Sequence, residues 1–230
     1  MPMDDAGLSA LIGHPVRDGM AGPSHIYNHA WDDPAALAHL GTICAREIGA
    51  PTNNLSRQEV PVRMNKRIYD YDQTIICGPV FPHEVVGFSG GNKYLFPGIA
   101  GAEIIDFTHW LGALISNYHV IGAGYTPVRA VIDRAARLVP RPVACLALVV
   151  MHDHVAGLYF GSPEAAWRSA SALSARTHIV HVRKPFNRVL SVMPEMYDDL
   201  WTAAKGMYKM EPAVADGGEV VIFAPHITEV

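Results

Sequence analysis

The chain has 230 residues, of which 50% are hydrophobic and 17% are charged, and its formal net charge is −4 at pH 7. This composition allows a sizeable core in one large domain, or in one domain and a fragment. It gives no electrostatic case for nucleic-acid binding, and the apolar runs are too short to span a bilayer. Three scattered cysteines without CxxC spacing fit a reducing compartment, so a cytoplasmic protein is expected.

The first clear strand is predicted over residues 74–80, TIICGPV. It leads directly to His83, which is therefore expected just past the carboxyl end of a strand. Ligands commonly bind at that position in α/β folds. A histidine there can transfer protons or bind a metal, so His83 is a candidate site residue.

A glycine-dense stretch follows His83 and contains Ser89, Gly90, Gly91 and Lys93. Without β-carbons, the backbone N–H groups of such a loop can turn toward an anion such as phosphate. Lys93 would neutralise that anion or, if its pKa is lowered by burial, attack a carbonyl-type carbon. His109 lies 16 residues further on and completes a candidate site with His83 and Lys93.

The rest of the chain alternates short apolar runs with amphipathic stretches, the pattern of an α/β protein. Thr126 and Pro127 are typical of a helix start, and Pro140 ends that helix. The predicted elements are helices over residues 127–138 and 163–175, strands over 144–151, 156–160 and 186–192, and a turn at 216–218 leading into a strand over 219–223.

Two further constellations contain ionisable side chains. His152 and His154 have the i, i+2 spacing that places both rings on one face of a strand, as a zinc site requires, although a solvated turn fits equally. Lys205 follows Trp201 and Thr202 by about one helical turn. On spacing alone, Lys205 is a surface charge.

The pattern from residue 82 to residue 109, P-H-x3-G-x-S-G-G-x-K-x3-P-G-x2-G-x-E-x5-H, resembles the signature of the nickel-dependent lactate racemase family. The resemblance continues through the segments NHAWDDPAAL, TPVRAVIDRAARLV and GSPEAAWRSA to the region of Lys205. It implies a two-domain α/β fold. Residues 1–183 would form an incomplete catalytic N-terminal domain, and residues 184–230 would begin a second α/β domain.

The resemblance also implies a cofactor, a pincer nucleotide (pyridinium-3,5-bisthiocarboxylic acid mononucleotide) that holds nickel. Lys93 would carry it covalently, Ser89, Gly90, Gly91 and Trp201 would border it, and His109 would ligate the nickel. Separate cofactor-synthesis enzymes would have to supply it. His83 would be one of two acid–base residues.

The family's Y-Q-x-x-K motif corresponds to Trp201, Thr202 and Lys205, which implies that Thr202 and Lys205 contact substrate, with Lys205 supporting catalysis. Threonine is shorter than glutamine, so the substrate need not be lactate. The family's D-x-T-R motif and its second acid–base histidine are not found in this sequence.

The expected function is racemisation or epimerisation of a small 2-hydroxy acid by reversible hydride transfer to the nickel–pincer nucleotide. Two alternatives are a non-catalytic homologue that binds an anionic nucleotide, and a zinc hydrolase built on His152 and His154. Neither the substrate side chain nor the oligomeric state follows from the sequence.

Overall fold

A computed structural model describes residues 2–228, except for the side chain of Trp201. Strands β1–β11 are Met20–Ala21, Ser24–His25, Leu37–Ile43, Val60–Asn65, Thr74–Pro79, Pro82–His83, Gly87–Phe88, Val143–Met151, His154–Gly161, Phe186–Val192 and Val214–Phe223. Helices α1–α8 are Asp5–Ile12, Ala45–Gly49, Ala102–Ile115, Asn117–Val120, Pro127–Ala136, Pro163–His178, Leu200–Ala203 and Lys205–Tyr208. Short 3-10 turns occupy Pro34–Ala36, Lys66–Asp70, Gly91–Tyr94 and Glu211–Ala213.

A three-stranded sheet lies at the centre, with β5 parallel to β8 and β8 antiparallel to β9. Alternate residues of β8, namely Cys145, Ala147 and Val149, are fully buried, and helix α6 packs against β8 and β9. Strand β8 is apolar throughout because one of its faces is fully buried at its centre and most residues of the other face are half-buried. The predicted α/β class is confirmed.

The predicted helices and strands before residue 200 are confirmed with small shifts of their ends. Strand β5 ends at Pro79, helix α5 ends at Ala136 and helix α6 continues to His178. Thr126 caps α5 as expected, because its side chain accepts the N–H of Arg129. All three cysteines are free thiols.

The predicted turn at residues 216–218 is wrong. One strand, β11, runs through this segment parallel to β10, with Phe186 opposite Val214 and Arg188 opposite Glu219. The intervening residues leave the ladder as a bulge in which Gly217 has a φ of 75°. The glycines therefore mark a bulge, although turns and bulges share the same residue preferences.

Strands β10 and β11 form a sheet of their own that is not hydrogen-bonded to the central sheet. The domain boundary predicted between residues 183 and 184 would precede this pair, since β10 begins at Phe186. That boundary stays a prediction. No helix within residues 2–228 has the length and hydropathy needed to cross a membrane.

Helix α3 carries His109 and packs against β4 and α5 through a buried face that includes Ile104, Phe107 and Leu111. Gly112 brings this helix close to the segment that follows His83. A β-carbon at Gly112 would lie 2.8 Å from Val85 Cγ1 and 3.1 Å from the Val85 carbonyl oxygen. The absence of a side chain at residue 112 thus sets the approach of α3 to this segment.

Helix α3 offers two leucines for a matched test of core stability, since Leu111 is fully buried and Leu114 is 46% exposed. Leu111→Ala should lower the free energy of unfolding by about 2–5 kcal/mol because it leaves a cavity. Leu114→Ala should change it by about 0.5 kcal/mol or less. Urea unfolding followed by circular dichroism measures both values, and equal losses would contradict the packing described for α3.

Candidate functional site

His83 lies in the two-residue strand β6, which forms a hairpin with β7 shortly after β5, an edge strand of the central sheet. Its Nδ1 atom accepts the backbone N–H of Val85 at 3.1 Å. The neutral ring therefore carries its proton on Nε2. Burial of the ring and the neighbouring charge of Lys93, followed by Lys205 and His109, lower the pKa of His83 to about 3, against an opposing effect of Glu84. In the free protein His83 is thus a neutral imidazole.

Glu84 stands between the catalytic candidates, although sequence reasoning did not single it out. Its Oε1 lies 3.6 Å from Lys205 Nζ and its Oε2 lies 3.8 Å from His83 Nδ1. Burial would raise the pKa of this carboxyl, but a backbone hydrogen bond and the positive charge of Lys205 are among the effects that lower it. Its place next to His83 in a glycine-containing loop was the available sequence signal.

The glycine loop preceding Lys93 is tightly packed. Gly90 and Gly91 have φ values of 84° and 57°, and added β-carbons would lie 2.5 Å from Val80 Cγ2 and 2.9 Å from Trp167 Cβ. The N–H of Ser89 donates to the Phe81 carbonyl oxygen, and the Ser89 hydroxyl oxygen accepts the N–H of Phe81. These groups of Ser89 are used within the protein, and cofactor contacts by the loop stay a prediction.

Two helices fasten this loop by side-chain hydrogen bonds. From α5, the fully buried Arg129 donates to the carbonyl oxygens of Phe88 and Gly90 at 2.6 and 3.0 Å. From α6, Trp167 Nε1 donates to the Ser89 carbonyl oxygen at 3.0 Å. Three consecutive carbonyls before the Lys93 turn are thereby satisfied away from water.

Asn92, immediately before Lys93, is held from the opposite side. Its Nδ2 donates to Asp133 Oδ1 and to Glu164 Oε1, both at 2.9 Å. Burial raises the pKa of Asp133, although Asn92 and Arg129 act in the other direction. The sequence signal for this network was the i, i+4 pair of Arg129 and Asp133 beside the apolar face of a predicted helix.

Lys93 is half-buried in the 3-10 turn Gly91–Tyr94. Burial is the main cause that lowers the pKa of its amine to about 8, and the charges of Arg129 and Lys205 add to it while Glu84 opposes. A lysine of this kind is a better nucleophile near neutral pH than a solvated one, because a larger fraction is unprotonated.

His109 presents one ring nitrogen to solvent space. Its Nδ1 donates to the Ile105 carbonyl oxygen at 2.7 Å, within the same helix α3. This bond leaves the Nε2 lone pair available for a metal and fixes the ring, as is usual for metal-bound histidines. His109 and Glu84 both line a cavity of about 1050 Å³ between α3 and the segment from Met207 to Val220.

The residues of the W-T-x-x-K segment differ in their contacts. Lys205 begins helix α8 and reaches Glu84, which brings it into the site. Thr202 Oγ1 instead donates at 2.7 Å to Oδ1 of Asp199, the residue whose side chain caps helix α7, so the Thr202 hydroxyl already has a partner. The predicted cofactor contact of the Trp201 side chain lies outside the described part of the chain.

His152 and His154 lie at the exposed turn between β8 and β9, and His152 has a φ of 54°. Across residues 2–228, no group of three or more His, Cys, Asp or Glu side chains is placed to hold a metal ion without other ligands. The turn therefore offers no observation in favour of a zinc hydrolase.

Comparisons with known proteins agree on one family. The family model described as lactate racemase N-terminal domain matches residues 2–122. A lactate racemase from Thermoanaerobacterium thermosaccharolyticum is 24% identical over 166 residues, which cover 71% of this chain and 39% of that protein.

Two solved structures have similar folds. A crystal structure of a protein from Thermotoga maritima superposes with a TM-score of 0.87 at 30% identity, covering 99% of this chain and 57% of that one. The lactate racemase apoprotein from T. thermosaccharolyticum gives a TM-score of 0.77 at 21% identity, covering 98% and 51%. The chain thus spans little more than half the length of either structure.

The lowered pKa of His83 predicts a specific loss of stability in mild acid. The folded value is about 3 and the ordinary value is 6.5, so the unfolded chain binds the proton first as the pH falls. This contribution is complete above pH 6.5 and is lost progressively toward pH 3. From pH 7 to pH 5, wild type should lose about 2 kcal/mol more unfolding free energy than His83→Gln.

The control is His154→Gln, since the side chain of His154 is 55% exposed. Urea unfolding at the two pH values measures the difference. The same acid dependence in His83→Gln as in wild type would show that His83 is not a neutral buried imidazole.

Proposed function

Because this chain belongs to the family of lactate racemase N-terminal domains, we propose that it forms part of a racemase or epimerase of small 2-hydroxy acids. One observation carries the proposal. The Glu84 carboxylate lies 3.8 Å from His83 Nδ1 and 3.6 Å from Lys205 Nζ, and Lys93 and His109 are close enough for their charges to lower the pKa of His83. These residues supply a proton carrier, an amine nucleophile, an anion-binding cation and a metal ligand.

The donor set fits the nickel–pincer nucleotide inferred from the sequence. Lys93 would hold it through a covalent bond to its amine, and His109 would ligate the nickel through Nε2, the nitrogen left free by the Ile105 bond. Ser89, Gly90, Gly91 and Trp201 are proposed to border it. When bound, this group supplies an acceptor and donor of hydride, a chemistry that protein side chains lack.

Lys205 is proposed to bind the substrate carboxylate. In the free protein its Nζ is 3.6 Å from Oε1 of Glu84, a residue that lines the cavity, and the Lys205 side chain is 33% exposed. A substrate carboxylate would compete with Glu84 for this ammonium group. Thr202 contributes to substrate binding only if its hydroxyl leaves Asp199, so Lys205 carries most of the recognition.

His83 is proposed to take and return the hydroxyl proton of the substrate. The charge of Lys93 is, after burial, the largest cause of its low pKa. A covalent bond that leaves the Lys93 nitrogen uncharged would raise the pKa of His83 toward the range in which a histidine both accepts and donates protons. The imidazolium formed would lie beside the Glu84 carboxylate.

Cofactor attachment is tested by intact mass and nickel analysis after co-expression with the cofactor-synthesis enzymes. Wild type and Lys184→Ala, which changes an exposed lysine, should gain a nucleotide-sized mass together with nickel. Lys93→Ala should gain neither, because the attaching amine is gone. His109→Ala should keep the nucleotide mass and lose most of its nickel. An unmodified wild type would contradict the proposal.

Turnover is tested with the cofactor-loaded protein and single enantiomers of short 2-hydroxy acids, followed by chiral chromatography. His83→Gln should slow racemisation by about 10²–10⁴-fold, since it removes a general acid–base group. His154→Gln, at the exposed turn, should leave the rate unchanged. A loaded protein that binds these acids but inverts none would favour the non-catalytic alternative.

A further inference from the structure

Arg129 is the largest fully buried side chain in the described part of the chain, with 1% exposure. A guanidinium removed from water costs stability unless its charge and donors are satisfied. Here two carbonyl oxygens accept from its two terminal nitrogens, the Trp167 ring lies 4.4 Å from its central carbon, and Asp133 follows it by one helical turn, while its Nε has no hydrogen-bond partner among the described residues. Such an arrangement needs a reason beyond filling space, since a methionine would fill a similar volume without a buried charge.

The hydrogen bonds of Arg129 end on the backbone that positions Lys93. The Gly90 carbonyl oxygen accepts from Arg129 Nη1 at 3.0 Å and also from the backbone N–H of Lys93 at 3.3 Å. One oxygen atom therefore joins the guanidinium to the first turn of the 3-10 segment. Loss of the guanidinium would leave that carbonyl and the Phe88 carbonyl buried without these donors.

The guanidinium is also a second cation close to the Lys93 amine. Burial lowers the pKa of Arg129 to about 10, so it stays charged at neutral pH. The other charged groups around Lys93 are Glu84, which favours the ammonium form, and Lys205, which disfavours it. His83 faces the amine as a neutral ring, while Asp133 and Glu164 bind Asn92 and partly balance the guanidinium.

We propose that Arg129 is a positioning residue for Lys93: it fixes the turn that carries the lysine and increases the reactivity of the lysine amine. The biological use of that reactivity, covalent attachment of a cofactor, rests on the proposed function. The reactivity itself does not, because it belongs to the protein without cofactor. Arg129 would touch neither substrate nor cofactor.

The test is competitive labelling of the full chain, without cofactor, by trace acetic anhydride from pH 6 to pH 11. Peptide mass spectrometry gives the labelling rate of Lys93 relative to Lys184, an exposed lysine in the same molecule. The variants are Arg129→Met, which removes the charge, and Arg129→Lys, which keeps a cation but loses the two-armed contact. Arg137→Met changes an exposed arginine at the C-terminal end of the same helix, α5, and is the control.

In wild type and Arg137→Met, Lys93 should label with a midpoint at least one pH unit below that of Lys184. In Arg129→Met the midpoint should rise by about one unit, which is about ten-fold less free amine at a fixed pH near 8. Arg129→Lys should keep a low midpoint but label with an altered rate, because the turn is no longer fixed. A purely structural role would not move the midpoint.

A wild-type midpoint equal to that of Lys184, or an unchanged midpoint in folded Arg129→Met, would overturn the proposal. If Arg129→Met does not fold, Arg129→Lys decides, and wild-type rate and midpoint in that variant would overturn it. A low labelling midpoint for Lys93, as expected, combined with no cofactor attachment would refute the proposed function while leaving this inference intact.

Discussion

The candidate site depends on the contact between a buried guanidinium and two backbone carbonyls. Arg129 binds the oxygens of Phe88 and Gly90, at the end of a hairpin whose other strand contains His83. Phe88 and Gly90 are buried, so their carbonyls would cost stability without donors. Arg129 therefore fixes both the hairpin that contains His83 and the turn that contains Lys93. It thereby sets the position of His83 relative to Lys93.

Charge is concentrated at this point of the fold. Lys93, Lys205 and Arg129 lie near one another and Glu84 lies among them, so the Lys93 amine is close to more positive than negative charge. Burial is the main reason why His83 and Lys93 bind protons weakly, and the neighbouring positive charges add to its effect. The same positive charges favour the binding of an anion, because an anion reduces the repulsion between them.

The sequence predicted what is local and periodic. Helix α5 with its cap, strands β5 and β8, and strand β10 follow from apolar spacing and turn residues, and the three signature residues His83, Lys93 and His109 were found from their motif. Glu84 and Arg129 were missed because their roles depend on tertiary contacts. Arg129 sits beside an apolar helical stripe, where an arginine is ordinarily a solvated flank. The segment at residues 216–218 was misjudged because its glycines fit a turn and a bulge equally well.

The contact between Gly112 and Val85 has a consequence for how this site can vary. Val85 follows the segment of His83 and Glu84, whereas Gly112 lies one helical turn after His109, so this contact spans the two halves of the site. A methyl group added at Gly112 would push helix α3, which carries His109, away from the segment that carries His83. Substrate preference can thus diverge through the other residues that line the cavity, while Gly112 keeps the distance between the two halves of the site constant.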